Sequence, residues 1–87
     1  MNDILVEIVC IATIKKYEFW IPKKGLIKDV IKKIADDIMI FENNDNIYDE
    51  NSINKLVLVT EMTGDVLNSN YSVSESGVMG GDKLILI

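Results

Sequence analysis

Few residues in this chain of 87 could take part in chemistry. There is no histidine, which removes the usual general base and the commonest metal ligand. The one cysteine, Cys10, has apolar neighbours and no histidine to pair with, so neither a cysteine–histidine nucleophile nor a zinc site can be built around it. We expect Cys10 to be a packed core thiol in a reducing compartment.

Acidic and amide side chains are concentrated in residues 42–54, where their oxygens could be offered to calcium. Their spacing lacks the Asp-x-Asp-x-Asp-Gly-x5-Glu pattern of a calcium-binding loop. A polar loop is the simpler interpretation. The sequence therefore predicts no metal and no cofactor.

Gly80 and Gly81 are the last chemically suggestive pair. A phosphate cradle needs the longer Gly-x-x-x-x-Gly-Lys-Ser/Thr frame, which is missing. The pair is followed by Asp82 and a short apolar run, a pattern that predicts a tight turn before a final buried strand. We therefore do not expect this chain to be an enzyme.

The composition of the chain limits which partners it can bind and where in the cell it can act. A hydrophobic content of 48% with five glycines and one proline indicates a single folded domain over residues 1–87. The net charge of −5 and the absence of arginine argue against nucleic-acid binding. No segment reaches the roughly 20 apolar residues of a membrane helix, and the apolar start lacks the basic flank of a signal peptide. We expect a cytoplasmic protein without direct membrane insertion.

Hydrophobic periodicity predicts the elements of the first half. Residues 4–12 and 17–21 are predicted strands of a hairpin, with Lys15 and Lys16 in the turn and Pro22 at its end. The period then changes to that of a helix over residues 26–41. Its predicted apolar face consists of Ile27, Val30, Ile31, Ile34, Ile38 and Phe41.

The second half of the chain is predicted to contain shorter secondary-structure elements. Residues 42–54 form a loop with a turn near Ile47 and Tyr48, and residues 55–60 a third strand. Residues 66–67 are a short fourth strand, a helical turn lies near Val73, and residues 83–87 close the sheet. The predicted order is β-β-α-β-β-β, an α+β fold with a mixed sheet packed on one α-helix, as in the β-grasp.

The glycine-rich C-terminal segment resembles that of a known group of proteins. Gly77-Val78, then Gly81-Asp82-Lys83-Leu84 leading into Ile85-Leu86, with Val73 upstream, resemble the C-terminal half of the YukD/EsaB-type ubiquitin-like proteins. The first half resembles them in pattern: a hairpin, Pro22, then the helix. These proteins occur in type VII (ESX-like) secretion loci beside WXG100-type substrates and an FtsK-like ATPase. The resemblance implies a ubiquitin-like β-grasp and a bacterial, cytoplasmic accessory or regulatory component of such a system.

Three other interpretations stay open. The chain is either a stand-alone ubiquitin-like adaptor of another complex, or the soluble domain of a larger membrane protein, or a conjugated modifier or sulfur carrier. The last class needs a free C-terminal Gly-Gly, whereas Gly80-Gly81 precedes the final predicted strand. Trimming to Gly81 would remove the predicted core residues Leu84 and Leu86, at roughly 2–5 kcal/mol each.

Strand alternation divides the sheet into two faces. Ile4, Val6, Ile8 and Cys10 are predicted to point inward, with Glu7 marking the opposite side. That outward side is unusually apolar for a sheet covered by one helix. Its predicted protein-binding residues are Leu5, Val9, Trp20, Val57, Val59, Ile85 and Ile87.

Two explanations of this apolar side are possible. Residues of high β-propensity could simply crowd short strands and be covered by loops. Alternatively, a protein partner or a second copy of the chain covers a patch of several hundred Å². In ubiquitin-like domains generally the open sheet face is the commonest docking surface, so the resemblance favours the second explanation.

Overall fold

A computed structural model describes residues 3–87 of the chain. Within that range the strands form one four-stranded sheet, accompanied by two helices. The elements in chain order are β1 (Asp3–Cys10), β2 (Lys15–Pro22), α1 (Ile27–Phe41), α2 (Glu50–Ile53), β3 (Leu58–Thr60) and β4 (Lys83–Leu86).

The hairpin of β1 and β2 is confirmed, but its turn was predicted in the wrong place. Lys15 pairs with Cys10 and Lys16 with Val9, so both lysines belong to β2 and residues 11–14 make the turn. The apolar run hides this turn, because it contains none of the usual turn residues. Ile14 takes a left-handed conformation with φ of 56°, which is unusual for a β-branched residue.

Helix α1 begins one residue after the predicted start, since Leu26 is its extended N-cap. No side chain caps it. Instead, the amides of Ile27 and Lys28 donate to the carbonyl oxygens of Tyr71 (2.8 Å) and Ser69 (3.0 Å). The loop of the second half therefore fixes the start of the helix by satisfying amides that the helix itself leaves free.

The predicted apolar face of α1 is confirmed from Ile27 to Ile38, all of it buried. Phe41 is the exception, because it remains 70% exposed at the end of the helix. Its ring lies beside Tyr17 and Phe19 of β2, each with a centroid separation of 6.4 Å. Phe41 thus extends the aromatic surface at the edge of the sheet instead of entering the core.

The sheet has the order β2-β1-β4-β3. Strand β4 pairs in parallel with β1 and antiparallel with β3, so the last strand lies beside the first, as predicted. Helix α1 crosses one face of this mixed sheet, and its buried residues join those of β1, β2 and β4 in a single core cluster. This arrangement is the predicted β-grasp.

Two predicted strands are shorter than expected. Strand β3 covers only Leu58–Thr60, although Val57 still exchanges two backbone hydrogen bonds with Ile87 (2.9 and 3.1 Å). The predicted strand at residues 66–67 is reduced to one bridge between Val59 and Val66. Gly64, with φ of 76°, turns the chain immediately before this bridge, which leaves little length for pairing.

Residues 42–54 are more ordered than the predicted loop. They contain α2, whose N-terminus is closed by a capping box between Asp49 and Ser52. The predicted turn near Ile47 and Tyr48 is present, as a turn at residues 45–46 followed by a bend at Ile47. The Tyr48 side chain enters the core, and its Oη lies 3.2 Å from Cys10 Sγ. Burial, followed by the contact with Cys10, raises the pKa of the Tyr48 phenol well above its ordinary value. Cys10 is buried, as predicted.

Candidate protein-interaction surface

The outward face of the sheet holds all the residues predicted to bind a partner. Helix α1 packs against the opposite face, and α2 contacts α1. Trp20 and Ile87 are largely exposed, at 68% and 57%. The other five are partly buried: Leu5, Val9, Val57, Val59 and Ile85.

Strand register places three of these residues in one row. Val9 of β1 lies opposite Ile85 of β4, which lies opposite Val59 of β3. All three are β-branched and sit on adjacent strands, which are spaced about 4.8 Å apart. The row therefore presents a short, stiff apolar ridge across the middle of the sheet.

A second apolar pair lies next to this ridge. Val57 and Ile87 exchange both backbone hydrogen bonds and so face each other directly, two residues along their strands from Val59 and Ile85. Side chains two residues apart share a face. We call these five residues, Val9, Val57, Val59, Ile85 and Ile87, the apolar ridge.

Leu5 and Trp20 lie apart from the apolar ridge. They are directly opposite each other in the β1–β2 hairpin. Between them and the ridge runs a charged row, in which Glu18 faces Glu7 and Glu7 faces Lys83. The single continuous patch expected from the sequence is therefore two apolar areas divided by charge.

Glu7 is the least satisfied side chain of this face. Its Oε2 is shielded from solvent and accepts no hydrogen bond from any residue in the range 3–87. The neighbouring Glu18 carries the same charge, and like charges opposite each other in an antiparallel pair are destabilising. The charged row thus sets two carboxylates against one lysine, Lys83.

Two exposed apolar residues that are not among the predicted binding residues lie beside them. Ile11 is 50% exposed and its amide donates to the Leu86 carbonyl oxygen (3.2 Å), at the same end of the sheet as Ile87. Val66 is 61% exposed and forms a bridge with Val59, so it continues the row of Val9, Ile85 and Val59 beyond Val59. Alternation pointed Ile11 outward, whereas no local signal could have placed Val66 beside the ridge.

A compact polar cluster closes the far end of the hairpin. Lys15 Nζ and Tyr17 Oη both donate to the Glu42 carboxylate, each at 2.7 Å. The hydrogen bond from Lys15, and then that from Tyr17, lower the pKa of Glu42 below its ordinary 4.5. The bond to Glu42 likewise raises the pKa of Lys15. This cluster ties the hairpin to the end of α1 and contains no activated nucleophile.

The described residues offer no clustered ligands for a metal ion. Among residues 3–87 there is no group of three or more histidine, cysteine, aspartate or glutamate side chains placed to hold one. Neither helix in that range has the length and apolar content to cross a membrane.

The sequence matches no protein-family model and no curated protein. Solved structures nevertheless share its architecture. A ubiquitin-like domain of an Arabidopsis thaliana protein superposes with a TM-score of 0.69 at 16% identity, covering 100% of this chain and 78% of that one. A ubiquitin of Caldiarchaeum subterraneum gives 0.67 at 17% identity, over 98% and 91% of the two chains. The fold is ubiquitin-like.

A third structure, from a study of how molecular mimicry of SUMO promotes DNA repair, gives a TM-score of 0.75 at 17% identity, covering 100% of this chain and 92% of that one. At these identities the likeness concerns the fold. Because a fold does not fix a function, any role must be inferred from this chain's own surface.

Proposed function

We propose that residues 1–87 form a single ubiquitin-like domain that acts by binding protein, without catalysis or a cofactor. The observation that carries this proposal is the ridge row of Val9, Ile85 and Val59 on the sheet face opposite α1. Three aligned β-branched side chains on a free face favour contact with an apolar partner surface. The exposed Ile87 enlarges the same contact.

The charged row beside the apolar ridge adds a requirement to the partner. A lysine or arginine of the partner placed beside Glu7 and Glu18 would relieve the repulsion between the two carboxylates. The proposed partner surface is therefore apolar with a basic residue at its border. Such a charge mainly sets orientation and specificity.

The proposed setting is the cytoplasmic side of a type VII-like secretion system, where the domain serves as an accessory or regulatory component. The resemblance of residues 57–87 to YukD/EsaB-type proteins supports this setting. Two glycines of the resembling segment have a structural role in this chain, since Gly77 and Gly81 adopt φ of 82° and 89°. These values favour glycine and set the turn that leads into β4.

The alternatives differ in what they require. A ubiquitin-like adaptor of another complex, or a domain of a larger membrane protein, would use the same ridge. A modifier joined through Gly81 is disfavoured, because the Gly81 amide donates to the Leu5 carbonyl oxygen (2.8 Å) within the sheet. Cleavage there would remove β4, which lies between β1 and β3.

Affinity capture from the source cell tests the proposal. Val59→Thr keeps the shape of the side chain but adds a hydroxyl to the ridge, and Trp20→Ser removes the aromatic ring of the separate Leu5–Trp20 area. We expect Val59→Thr to lower the recovery of the specific partner about tenfold, a loss of roughly 1.4 kcal/mol. Trp20→Ser should have a smaller effect, and the double variant the largest.

The captured proteins and a secretion assay separate the alternatives. Recovery of an FtsK-like ATPase, with loss of WXG100-type substrates from the medium when the gene is deleted, would support the secretion setting. Normal export would leave only the adaptor role. Unchanged capture by a folded double variant would refute the use of the sheet face. Light scattering of the purified chain tests whether the partner is a second copy.

A further inference from the structure

Strand β2 forms one edge of the sheet, with a neighbouring strand on one side only. The backbone directions of β1 show which groups of β2 remain free. The Leu5 carbonyl oxygen and the Glu7 amide bond to Gly81 and Asp82, on the side of β4. Backbone groups alternate in direction along a strand. The amide and carbonyl groups of Val6 must therefore point toward β2, where Val6 pairs with Phe19.

The same alternation continues along β2. Tyr17, Phe19 and Ile21 direct their backbone groups toward β1, so those of Lys16, Glu18 and Trp20 point away from the sheet. No hydrogen bond from a described residue reaches these three amides or their carbonyl oxygens on that side. The edge therefore offers three donors and three acceptors with the spacing of a β-ladder.

An open groove of about 320 Å³ runs beside this edge, between β2 and α1. Its walls are apolar where the strand and the helix approach each other, with Phe19 and Ile21 on one side and Val30 and Ile34 on the other. The groove lies on the helix side of β2, so every second side chain of a strand added to the edge would point into it.

The rim of the groove is acidic. Asp3, Asp29 and Asp37 line it together with one lysine, Lys33. That lysine is already engaged, since its Nζ lies 3.2 Å from the Asp37 carboxylate. The rim therefore complements positive charge on an incoming segment.

We propose that β2 and this groove bind an extended segment of a partner protein, which adds to the sheet as a fifth strand. The segment pairs its backbone with Lys16, Glu18 and Trp20 and places alternate apolar side chains between β2 and α1. Its flanking lysines or arginines face the acidic rim. This is recognition by strand addition, in which the backbone supplies affinity and the groove supplies specificity.

A second copy of the chain fits this edge poorly. The antiparallel pairing of two β2 strands that uses all three free positions is centred on Glu18, and it places Glu18 opposite its own equivalent. Like charges in that position are destabilising. The site is also distinct from the apolar ridge, which lies on the other face of β1, β3 and β4, so the inference does not depend on the proposed function.

The first test uses a defined probe, the fluorescein-labelled peptide Lys-Lys-Val-Thr-Ile-Thr-Val-Lys-Lys, followed by anisotropy. Its matched control carries glutamate in place of every lysine. We expect the lysine peptide to bind at least about tenfold more tightly at low salt, with the difference shrinking as salt screens the rim. Equal binding of the two peptides, or no binding of either at millimolar concentration, would overturn the proposal.

The second test removes one edge donor. Glu18→Pro deletes an amide hydrogen that bonds to no described residue, and edge strands tolerate proline where the amide faces solvent. We expect about tenfold weaker binding of the lysine peptide. The matched variant Glu18→Ala keeps the amide and should bind within about twofold of the original protein, so a loss as large as that of Glu18→Pro would refute backbone pairing.

Hydrogen exchange of the unmodified protein provides a readout that does not depend on the stability of any variant. Saturating lysine peptide should slow exchange of the amides of Lys16, Glu18 and Trp20. Unchanged exchange at all three would show that the peptide does not pair with this edge. Protection that appears without peptide and grows with protein concentration would assign the edge to a second copy instead.

Discussion

The inner and outer faces of the sheet are built from similar side chains, but only the inner face is closed by a helix. Along β1 the inward residues Val6, Ile8 and Cys10 are almost completely buried, whereas the outward Leu5 and Val9 remain partly accessible. Residue type alone therefore does not determine burial here. The difference comes from α1, which supplies the apolar counterpart to one face and leaves the other available.

The faces differ equally in how they treat polar groups. On the inner face, Cys10 and Tyr48 satisfy each other across the core at 3.2 Å. On the outer face, Glu7 leaves an enclosed oxygen without a partner and lies opposite Glu18. A closed face tolerates few unsatisfied groups, because each costs roughly 1–3 kcal/mol. Among residues 3–87 the one such side-chain atom, Glu7 Oε2, lies on the outer face.

The largest test of this contrast compares two neighbours on β4. Leu84 is fully buried on the inner face, and Ile85 is partly exposed on the outer face. Leu84→Ala should lower the free energy of unfolding by about 2–5 kcal/mol, because it leaves a cavity in the core. Ile85→Ala should cost about 1 kcal/mol, as for an average substitution. Urea denaturation measures both, and equal costs would contradict the assignment of the faces.

Much of the inner face could be predicted from the sequence, because its signals are local. The 3.6-residue period of α1 and the alternation of β1 and β2 each follow from contiguous residues. The capping box at Asp49 and Ser52 was also readable, but α2 was missed because its single turn has no apolar period.

The division of the outer face could not be predicted in the same way. The charged row exists because Glu18, Glu7 and Lys83 come into register on three different strands. Alternation within a strand shows which face a residue occupies, but not which residue lies beside it. Register is set by the pairing between strands, which the alternation of a single strand does not specify.

A smaller test concerns the outer face alone. Glu18→Gln should raise the free energy of unfolding by about 0.2–1 kcal/mol, because it removes the repulsion between the opposed carboxylates. Glu7→Gln should gain less, because it also removes the attraction between Glu7 and Lys83. The double variant should gain less than the sum of the two, since the repulsion can be removed only once. Chemical denaturation of the three variants completes the cycle, and additive gains would show that the two glutamates do not interact.

The smallest expected effect lies at the polar cluster of Lys15, Tyr17 and Glu42, and it depends on pH. Because the folded state lowers the pKa of Glu42 below 4.5, its ionised form stabilises the fold above that pH. The stabilisation disappears as the pH falls through the lowered folded-state pKa. Glu42→Gln should therefore lower the melting temperature slightly at neutral pH and have no effect in strong acid.

Lys15, the partner of Glu42, sets the upper pH limit of the same stabilisation, and its substitution provides the control. The pKa of Lys15 is raised above 10.5, so its contribution is complete below that pH and is lost as the pH rises through the folded-state value. Lys15→Met should show the same loss of melting temperature at neutral pH, again vanishing in acid once Glu42 is protonated. A difference that persists unchanged in acid would show that these substitutions act through packing instead of the charge pair. The hairpin would then be held to α1 mainly by the contact of Phe41 with Tyr17 and Phe19.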